Sequence, residues 1–441
     1  MIPVSFAQQR LWLVDQIEGP GPLYNLPFAL RLHGELDRDA LREAAVDVVT
    51  RHEALRTVFP AVAGVPEPRV VPVGTAAADL VCDVVDCTAD PAGYPALLDS
   101  ASARAFDLSG ELPVRITLFE LGRREHVLLV VLHHIAGDGW SQGPFLRDLA
   151  TAYTARRAGE APGWEPLPVQ YADYARWQRE VLGEDTDPES LLSQQLAHWK
   201  EVLAGSPEEL TLPFDRPRPH TLSARADALP FRIEPELHAA LAELARSQRV
   251  TLFMVLQSAL AALLTRFGAG TDVPVGSVTA GRSDEALDGL VGFFVNTLVL
   301  RTDTSGDPRF TELLSRVREV QLDAHSHEDV PFDRLVEELN PVRSTARHPL
   351  FQVMFVLQNN EEARLDLPGL TADSEPLGIR VAKFDLNIGV TEALTADGAP
   401  NGLTGSVEYS VDLFDRSTVE RMAAALVRLL GEVAADPAVR I

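Results

Sequence analysis

The chain has 441 residues, 46% of them apolar and 23% charged, a balance that suits folded lobes with substantial cores and leaves no room for an extended disordered part. Its 39 basic and 64 acidic residues give a formal net charge of −25, which makes phosphate backbones and anionic lipid headgroups poor partners, so neither nucleic acid nor a membrane surface is expected. The two cysteines, Cys82 and Cys87 in CDVVDC, cannot build a disulfide framework or a four-ligand zinc site, and their odd spacing points them to opposite faces of a strand. Charged residues interrupt the first fifteen positions and no apolar run approaches the roughly 18 residues that a membrane span needs; the expected location is the cytoplasm.

Along the chain, Leu41, Ala44, Ala45, Val48 and Val49 recur at helical spacing behind Asp37 and Asp39, predicting a capped amphipathic helix. RTVF and RVVPV read as strands, 95–105 as a helix, and LPVRITLFEL and HVLLVVLHH as two further strands, the second apolar on both faces and therefore inside a sheet. Helices follow at about 143–157 and 169–182, and a third contains LLSQQLAHWKEVL; the Pro-rich LPFDRPRPH at 212–220 reads as a connector. Beyond it come helices at 235–247 and 251–266, strands at 272–280 and 291–301, a helix at 311–324, strands near 350–357, 379–390 and 403–410, and a closing helix at about 415–433. The predicted organisation is two mixed α/β lobes, 1–180 and 181–441, joined through 181–220. Both termini lie close against patterned sequence, MIPVSFAQQRLW and AADPAVRI, so the chain is expected to be one domain of a longer polypeptide.

The chemistry concentrates in VLHHIAGDGWS at 131–141. With 126–134 as a strand, His133 and His134 point to opposite faces and cannot share one metal ion or one substrate. Asp138 arrives on a turn, without the i,i+4 helical spacing of a zinc motif, so no metal is expected. An adjacent histidine pair by itself reads as two satisfied core residues. Gly137 and Gly139 on either side of Asp138 tip that reading, because a tight turn with exposed N–H groups can approach a ligand and stabilise negative charge, placing a neighbouring histidine for acyl transfer. Other templates fail: there is no Gly-x-Ser-x-Gly elbow and no Walker loop, GAGTDV at 268–273 lacks the third glycine and follows a helix, and neither cysteine has a histidine nearby in sequence.

The whole chain resembles the condensation domain of nonribosomal peptide synthetases, a member of the chloramphenicol-acetyltransferase-like superfamily. SFAQQRLWLVDQ at 5–16, RHEALRTVF at 51–59, HHIAGDGWS at 133–141, YADYARW at 171–177, VGFFVNTLVLR at 291–301, HEDVPFDRL at 327–335 and RSTARHPLFQ at 343–352 match that family's seven motifs in order. Glu328 stands where the sixth motif usually has Gln, and Ser344 where the seventh often has Asp. Epimerization relatives differ in the opening motif, and heterocyclization relatives carry aspartate in place of the two histidines.

The resemblance implies two chloramphenicol-acetyltransferase-like lobes arranged as a V-shaped pseudodimer with a central tunnel. Upstream donor and downstream acceptor carrier proteins would present a donor acyl or peptidyl thioester and an aminoacyl thioester whose amine attacks it. It implies that His134 faces the reacting groups, either accepting the amine's proton or holding the amine and stabilising the tetrahedral intermediate; a histidine's ordinary pKa of about 6.5 suits both. Gly139 would offer its N–H to the oxyanion. His133 would pack inward, and Asp138 would be a buried carboxylate paired with Arg282 or, as second candidate, Arg56. Asn296 would either line the pantetheine path or serve the fold, and Trp140 and Ser141 would either line that path or pack and cap. Trp12, Trp177 and Trp199 read as packing residues. No metal or bound cofactor is implied, only phosphopantetheine delivered on carriers, with an adenylation domain in the same polypeptide and a monomeric state for the excised domain. LGEDTDPESLLSQQLAHW and GDGWSQGPFLRDLA resemble the branch whose donor ends in a D-configured residue. The competing expectations are a catalytically silent docking platform and a stand-alone acyltransferase with diffusible substrates.

Overall fold

The computed structural model describes residues 3–223, 225–342, 344–358, 364–378 and 381–441. The chain divides into two compact units, one formed by Met1–Glu184, Ala280–Val295 and Asn360–Ile379, the other by Asp185–Thr279, Asn296–Asn359 and Arg380–Ile441. The expected split into two contiguous blocks at 180 is thus replaced by an interleaved one: two late segments return to the first unit. Hydrophobic periodicity identifies a strand or loop but not the sheet it joins, which is why this exchange is invisible in the sequence.

Among the described residues, the first unit holds a five-stranded sheet in the order Leu370–Glu375, Asn25–Gly34, Glu125–His133, Val114–Gly122, Val81–Asp86. Only the last pair is parallel. Glu125–His133 is central and buried from His126 to His133, as its two-sided apolar pattern predicts. Its even positions Leu128, Val130 and Leu132 join the cluster formed with helices Arg38–Arg51 and Gln142–Arg157. Its odd positions Val127, Leu129 and Val131 join the opposite cluster, with Leu98, Phe106 and Trp12. Each such side chain contributes about 1.5–3 kcal/mol by leaving water. The strand is therefore fixed in register, and with it the direction in which each histidine at its end can point.

The edge strand Leu370–Glu375 is held through Arg31, which donates to Glu375 (2.7 Å) and to the Tyr94 hydroxyl (2.6 Å). Arg31 and Tyr94 together hold the Glu375 carboxyl below the usual carboxylate range.

The second unit holds a six-stranded sheet, Asn296–Asp303, Asp272–Thr279, Val353–Gln358, Leu386–Leu394, Pro400–Ser410, Ala226–Ile233. Helix Leu252–Arg266, capped by Thr251, is buried along almost its whole length, which explains an apolar composition with no polar face. Among the described residues no single helix is long and apolar enough to cross a membrane.

Most predicted elements are found within a few residues of their expected ends. The differences are physical. Strand 291–301 begins only at Asn296, because 291–295 is engaged by side chains of the first unit. RVVPV pairs only at Arg69–Val70, since Pro72 ends the ladder and opens helix Val73–Asp79. The strand expected at 379–390 starts at Leu386, and 379–380 lie outside the described residues. Helix Phe332–Leu339 and strands Asn25–Gly34, Ala226–Ile233 and Leu370–Glu375 were not expected, although Phe332, Leu335, Val336 and Leu339 stand at helical spacing and Leu26, Phe28, Leu30 and Leu32 alternate.

Candidate functional site

The central strand ends at His133, one residue earlier than predicted. His133 stays on the odd face: its ring is buried edge-on against Phe106 at 5.8 Å, and its Nδ1 accepts the Ile135 N–H at 3.1 Å. His134 opens the following turn, its N–H donating to the Tyr24 carbonyl at 2.8 Å. Its imidazole is half-buried and lies 4.7 Å from the Phe293 ring. The turn residues Ile135, Ala136, Gly137 and Asp138 are buried, whereas Gly139 is exposed and a Cβ there would meet nothing within 4 Å. The two histidines therefore face different surroundings, and of the two only His134 is, like Gly139, open to solvent.

Asp138 is buried to 1% exposure and collects donors on both oxygens. Oδ1 accepts the Ser141 N–H at 3.0 Å and faces the Ser141 hydroxyl at 2.8 Å; Oδ2 accepts the N–H groups of Phe294 at 2.9 Å and Val295 at 3.3 Å. Arg282 Nη2 lies 3.6 Å from Oδ1. Arg282 also donates to the Leu287 carbonyl and lies over the Phe294 ring at 4.2 Å; burial pulls its guanidinium below the usual range while Asp138 opposes that. Arg56 is engaged elsewhere, donating to the Val71 carbonyl at 2.9 Å and to Glu53 at 3.1 Å, so as a partner for Asp138 it is corrected to a brace of its own loop.

Ser141 is wholly buried. Its hydroxyl proton lies between Asp138 Oδ1 and the Gly292 carbonyl (2.9 Å), and the hydroxyl oxygen accepts N–H groups from Asp138 (3.1 Å) and Gly292 (3.2 Å). Ser141 caps the Gly139–Ser141 turn rather than lining a path; Trp140 beside it is half-buried.

The segment 291–295 is gripped by side chains of the first unit. Val291 N–H donates to His52 Nδ1 at 3.3 Å, Gly292 N–H to Ser141, Phe294 and Val295 N–H to Asp138, while the Phe293 carbonyl accepts the Tyr171 hydroxyl at 2.6 Å. His52 is buried, and burial lowers its pKa although Asp148 opposes. The neutral ring accepts at Nδ1 and so donates from Nε2 to Asp148 (2.8 Å), which Arg51 also holds (2.9 Å). Burial pushes the Tyr171 phenol well above its range, keeping it a donor.

Glycine is required here: a Cβ on Gly292 would come within 2.3 Å of the Tyr171 ring, and one on Gly281, at φ +63°, within 2.0 Å of the Phe294 carbonyl. His52, Asp148, Tyr171 and Phe293 have no periodic signature; the motif matches at 51–59, 171–177 and 291–301 point at the segments that carry His52, Tyr171 and Phe293, and none of the seven motifs contains Asp148. The opening motif braces the same turn, Gln8 Nε2 donating to the Ile135 carbonyl (3.1 Å) and Trp12 Nε1 to the Phe59 carbonyl (3.0 Å).

In the second unit, Asn296 spends its whole amide on the fold. It donates to the carbonyls of Glu328 (2.8 Å) and Val330 (2.7 Å) and accepts from Thr297 (2.9 Å) and Phe332 (3.1 Å). Glu328, although partial burial pushes it up, is held below its usual range by His325 and Thr279. Ser344 accepts the Ala346 N–H at 3.0 Å; Arg343 lies outside the described residues. Among the described residues one His/Asp group has metal-ligand spacing, His198, Asp323 and His327. The two imidazoles stack at 3.5 Å and 6°, so their in-plane lone pairs run parallel instead of converging on one ion. His198 Nε2 sits 2.9 Å from Asp323, an arrangement of a surface ion pair. Cys82 and Cys87 are free thiols.

A profile described as Condensation domain matches residues 1–441. The chain is 56% identical over 441 residues to part of a nonribosomal peptide synthetase, CymA, of Salinispora arenicola, and 53% identical over 437 residues to part of a dimodular nonribosomal peptide synthase of Bacillus subtilis. It is covered at 100% and 99% and spans only 6% and 18% of those two proteins. Of solved structures, the X-domain from teicoplanin biosynthesis is 40% identical at a TM-score of 0.91, covering 100% of this chain and 96% of that one. The same kind of domain in complex with OxyB matches at 38% and 0.89, with 100% and 94% covered. The mixed sheets are those of the chloramphenicol-acetyltransferase-like fold that solved condensation domains share. The ordered motifs, the sheet that carries them and the match along every residue lead to one assignment: this chain belongs to the condensation-domain family of nonribosomal peptide synthetases.

Proposed function

We propose that the chain forms a peptide bond between a donor acyl or peptidyl thioester and the amine of an acceptor aminoacyl thioester, each on the phosphopantetheine arm of a carrier protein, in the cytoplasm and beside an adenylation domain of the same polypeptide. The amine nitrogen bonds to the thioester carbon, the carbonyl electrons move onto oxygen, and collapse of the tetrahedral intermediate expels the donor carrier's thiolate. His134 receives the amine's proton or holds the amine and the charge that develops, and the Gly139 N–H faces the oxyanion. Asp138 and Arg282 keep the turn in place without touching the reacting atoms. The observation that carries this reading is the half-buried His134 imidazole at the start of a turn whose Gly139 is exposed and sterically open, with the Asp138 carboxylate before that glycine bonded to Ser141, Phe294 and Val295. The likeness of 137–150 and 182–199 to one donor branch of the family supports a D-configured donor terminus.

Donor- and acceptor-loaded carrier proteins incubated with the chain give a product whose mass reports the amide. His134→Ala is expected to stay folded and lose about 10²- to 10⁴-fold in rate; full activity in the folded variant removes His134 from the mechanism. A D-donor and its L-epimer, run in parallel, test the stereochemical assignment. A second reading, a domain that docks a partner enzyme without forming bonds, draws on the X-domain likeness and the OxyB complex of that relative. It predicts no amide from any loaded pair, with His134→Ala indistinguishable from the parent.

A further inference from the structure

The Phe293 ring packs against the His134 imidazole, and the segment 291–295 leaves it little freedom. The N–H groups of Val291, Gly292, Phe294 and Val295 are each bonded to a side chain of the same unit. The carbonyls of Gly292 and Phe293 accept from Ser141 and Tyr171. The backbone on both sides of Phe293 is thus pinned, and its ring packs at the junction of two apolar clusters, one containing Trp12 and Phe106, the other Tyr171 and Phe294. The ring is nevertheless only half-buried, and it stands 4.7 Å from the imidazole at 57°. It is a rigid apolar wall, part of it open to solvent, packed against His134.

We infer that Phe293 sets the size of the acceptor side chain. The inference rests on the proposed contact of His134 with the acceptor amine. That amine must approach an imidazole nitrogen to about 2.6–3.2 Å, which leaves the α-carbon, one bond further, within van der Waals reach of a ring packed against the same imidazole. The substituent on that carbon then meets the Phe293 ring packed against the same imidazole; of the turn's other residues, Gly139 has no side chain, Ile135 and Ala136 are buried, and Trp140 is the other half-buried apolar group. Donor groups attach to the carbonyl side of the reacting centre and do not have this contact.

The test uses the full chain and unreactive acceptor mimics, alanyl- and tryptophanyl-pantetheine amides, with acetyl- and octanoyl-pantetheine as donor mimics; affinities are measured by calorimetry. Phe293→Ala is expected to shift the tryptophanyl-to-alanyl affinity ratio about tenfold or more towards the larger group, as hydrophobic pockets discriminate at that scale. Phe293→Leu should shift it less, and the donor ratio should not move. An unchanged acceptor ratio in either folded variant, or a shift confined to donors, overturns the inference. Should Phe293→Ala fail to fold, the Leu variant and the parent decide: in the parent, the bound tryptophanyl mimic must give nuclear Overhauser contacts to the Phe293 ring, and their absence refutes the assignment. His134→Ala in the product assay reads the proposed reaction separately, so loss of one conclusion leaves the other standing or falling on its own data.

Discussion

Replacing Asp138 by asparagine keeps the shape and removes the charge. Four donors face the carboxylate, two on each oxygen, with Arg282 at 3.6 Å. An amide offers one oxygen only, so on the other side its NH₂ points at N–H groups that can no longer be satisfied: Phe294 and Val295, or Ser141 and Arg282. A buried donor left unpaired costs about 1–3 kcal/mol, and breaking a buried ion pair by removing one member costs about 3–5 kcal/mol. The two routes overlap near 3–5 kcal/mol, and a domain of about 150–250 residues loses about 2–4 °C for each of these. Differential scanning calorimetry of Asp138→Asn should therefore show a transition about 6–20 °C below the parent. Adding Arg282→Met should recover part of that loss, because the second change removes the stranded charge; the coupling should fall at about 0.5–3 kcal/mol. A variant melting within a degree of the parent would mean that Asp138 does not hold 291–295, and the account of Phe293 would lose its foundation.

Three further outcomes are expected. Gly139→Ala should fold normally, since its Cβ enters open space. Gly139→Pro sits at the first position of the turn after an extended Asp138, where proline is accommodated; by removing the N–H it should cut amide formation about 10²- to 10³-fold at unchanged stability. Gly292→Ala must push the Tyr171 ring away and should cost about 1–3 kcal/mol in urea denaturation. For His52 the folded-state pKa is depressed by burial, so below about 6.5 the unfolded chain takes up a proton that the folded one refuses, and stability falls with pH. His52→Gln should flatten the fall of the urea midpoint between about pH 6.5 and 5; an equal slope in both proteins would refute the neutral-ring assignment.

How much of this was legible in the sequence differs by residue. Val127 to Leu132 advertise a central strand because both faces must be apolar, and the period of two sends His133 and His134 apart even though the strand stops one residue early. The burial of Asp138 and its pairing with Arg282, which lies 3.6 Å away, follow from the family resemblance and not from any spacing or period. The grip on 291–295 was not legible. Its own groups are backbone N–H and C=O, identical at every position, and their side-chain partners, the acceptors His52, Ser141 and Asp138 and the donor Tyr171, are spread over 120 residues with no spacing rule that joins them. Asn296 fell to its structural alternative for a similar reason, since the carbonyls of Glu328 and Val330 that consume it leave no trace in side-chain chemistry.

The edge strand Leu370–Glu375 and the segment Ala280–Val295 also constrain how the protein comes into being. On a ribosome, the first 184 residues emerge as a sheet whose strand Asn25–Gly34 is paired on one side only, with Glu125–His133, and as an Asp138 that has its Ser141 donors but not yet those of Phe294 and Val295. An uncovered strand edge recruits whatever extended chain is at hand. Truncations ending before Glu375 should therefore associate with themselves, and the open edge of Asn25–Gly34 must be shielded until translation has passed Glu375.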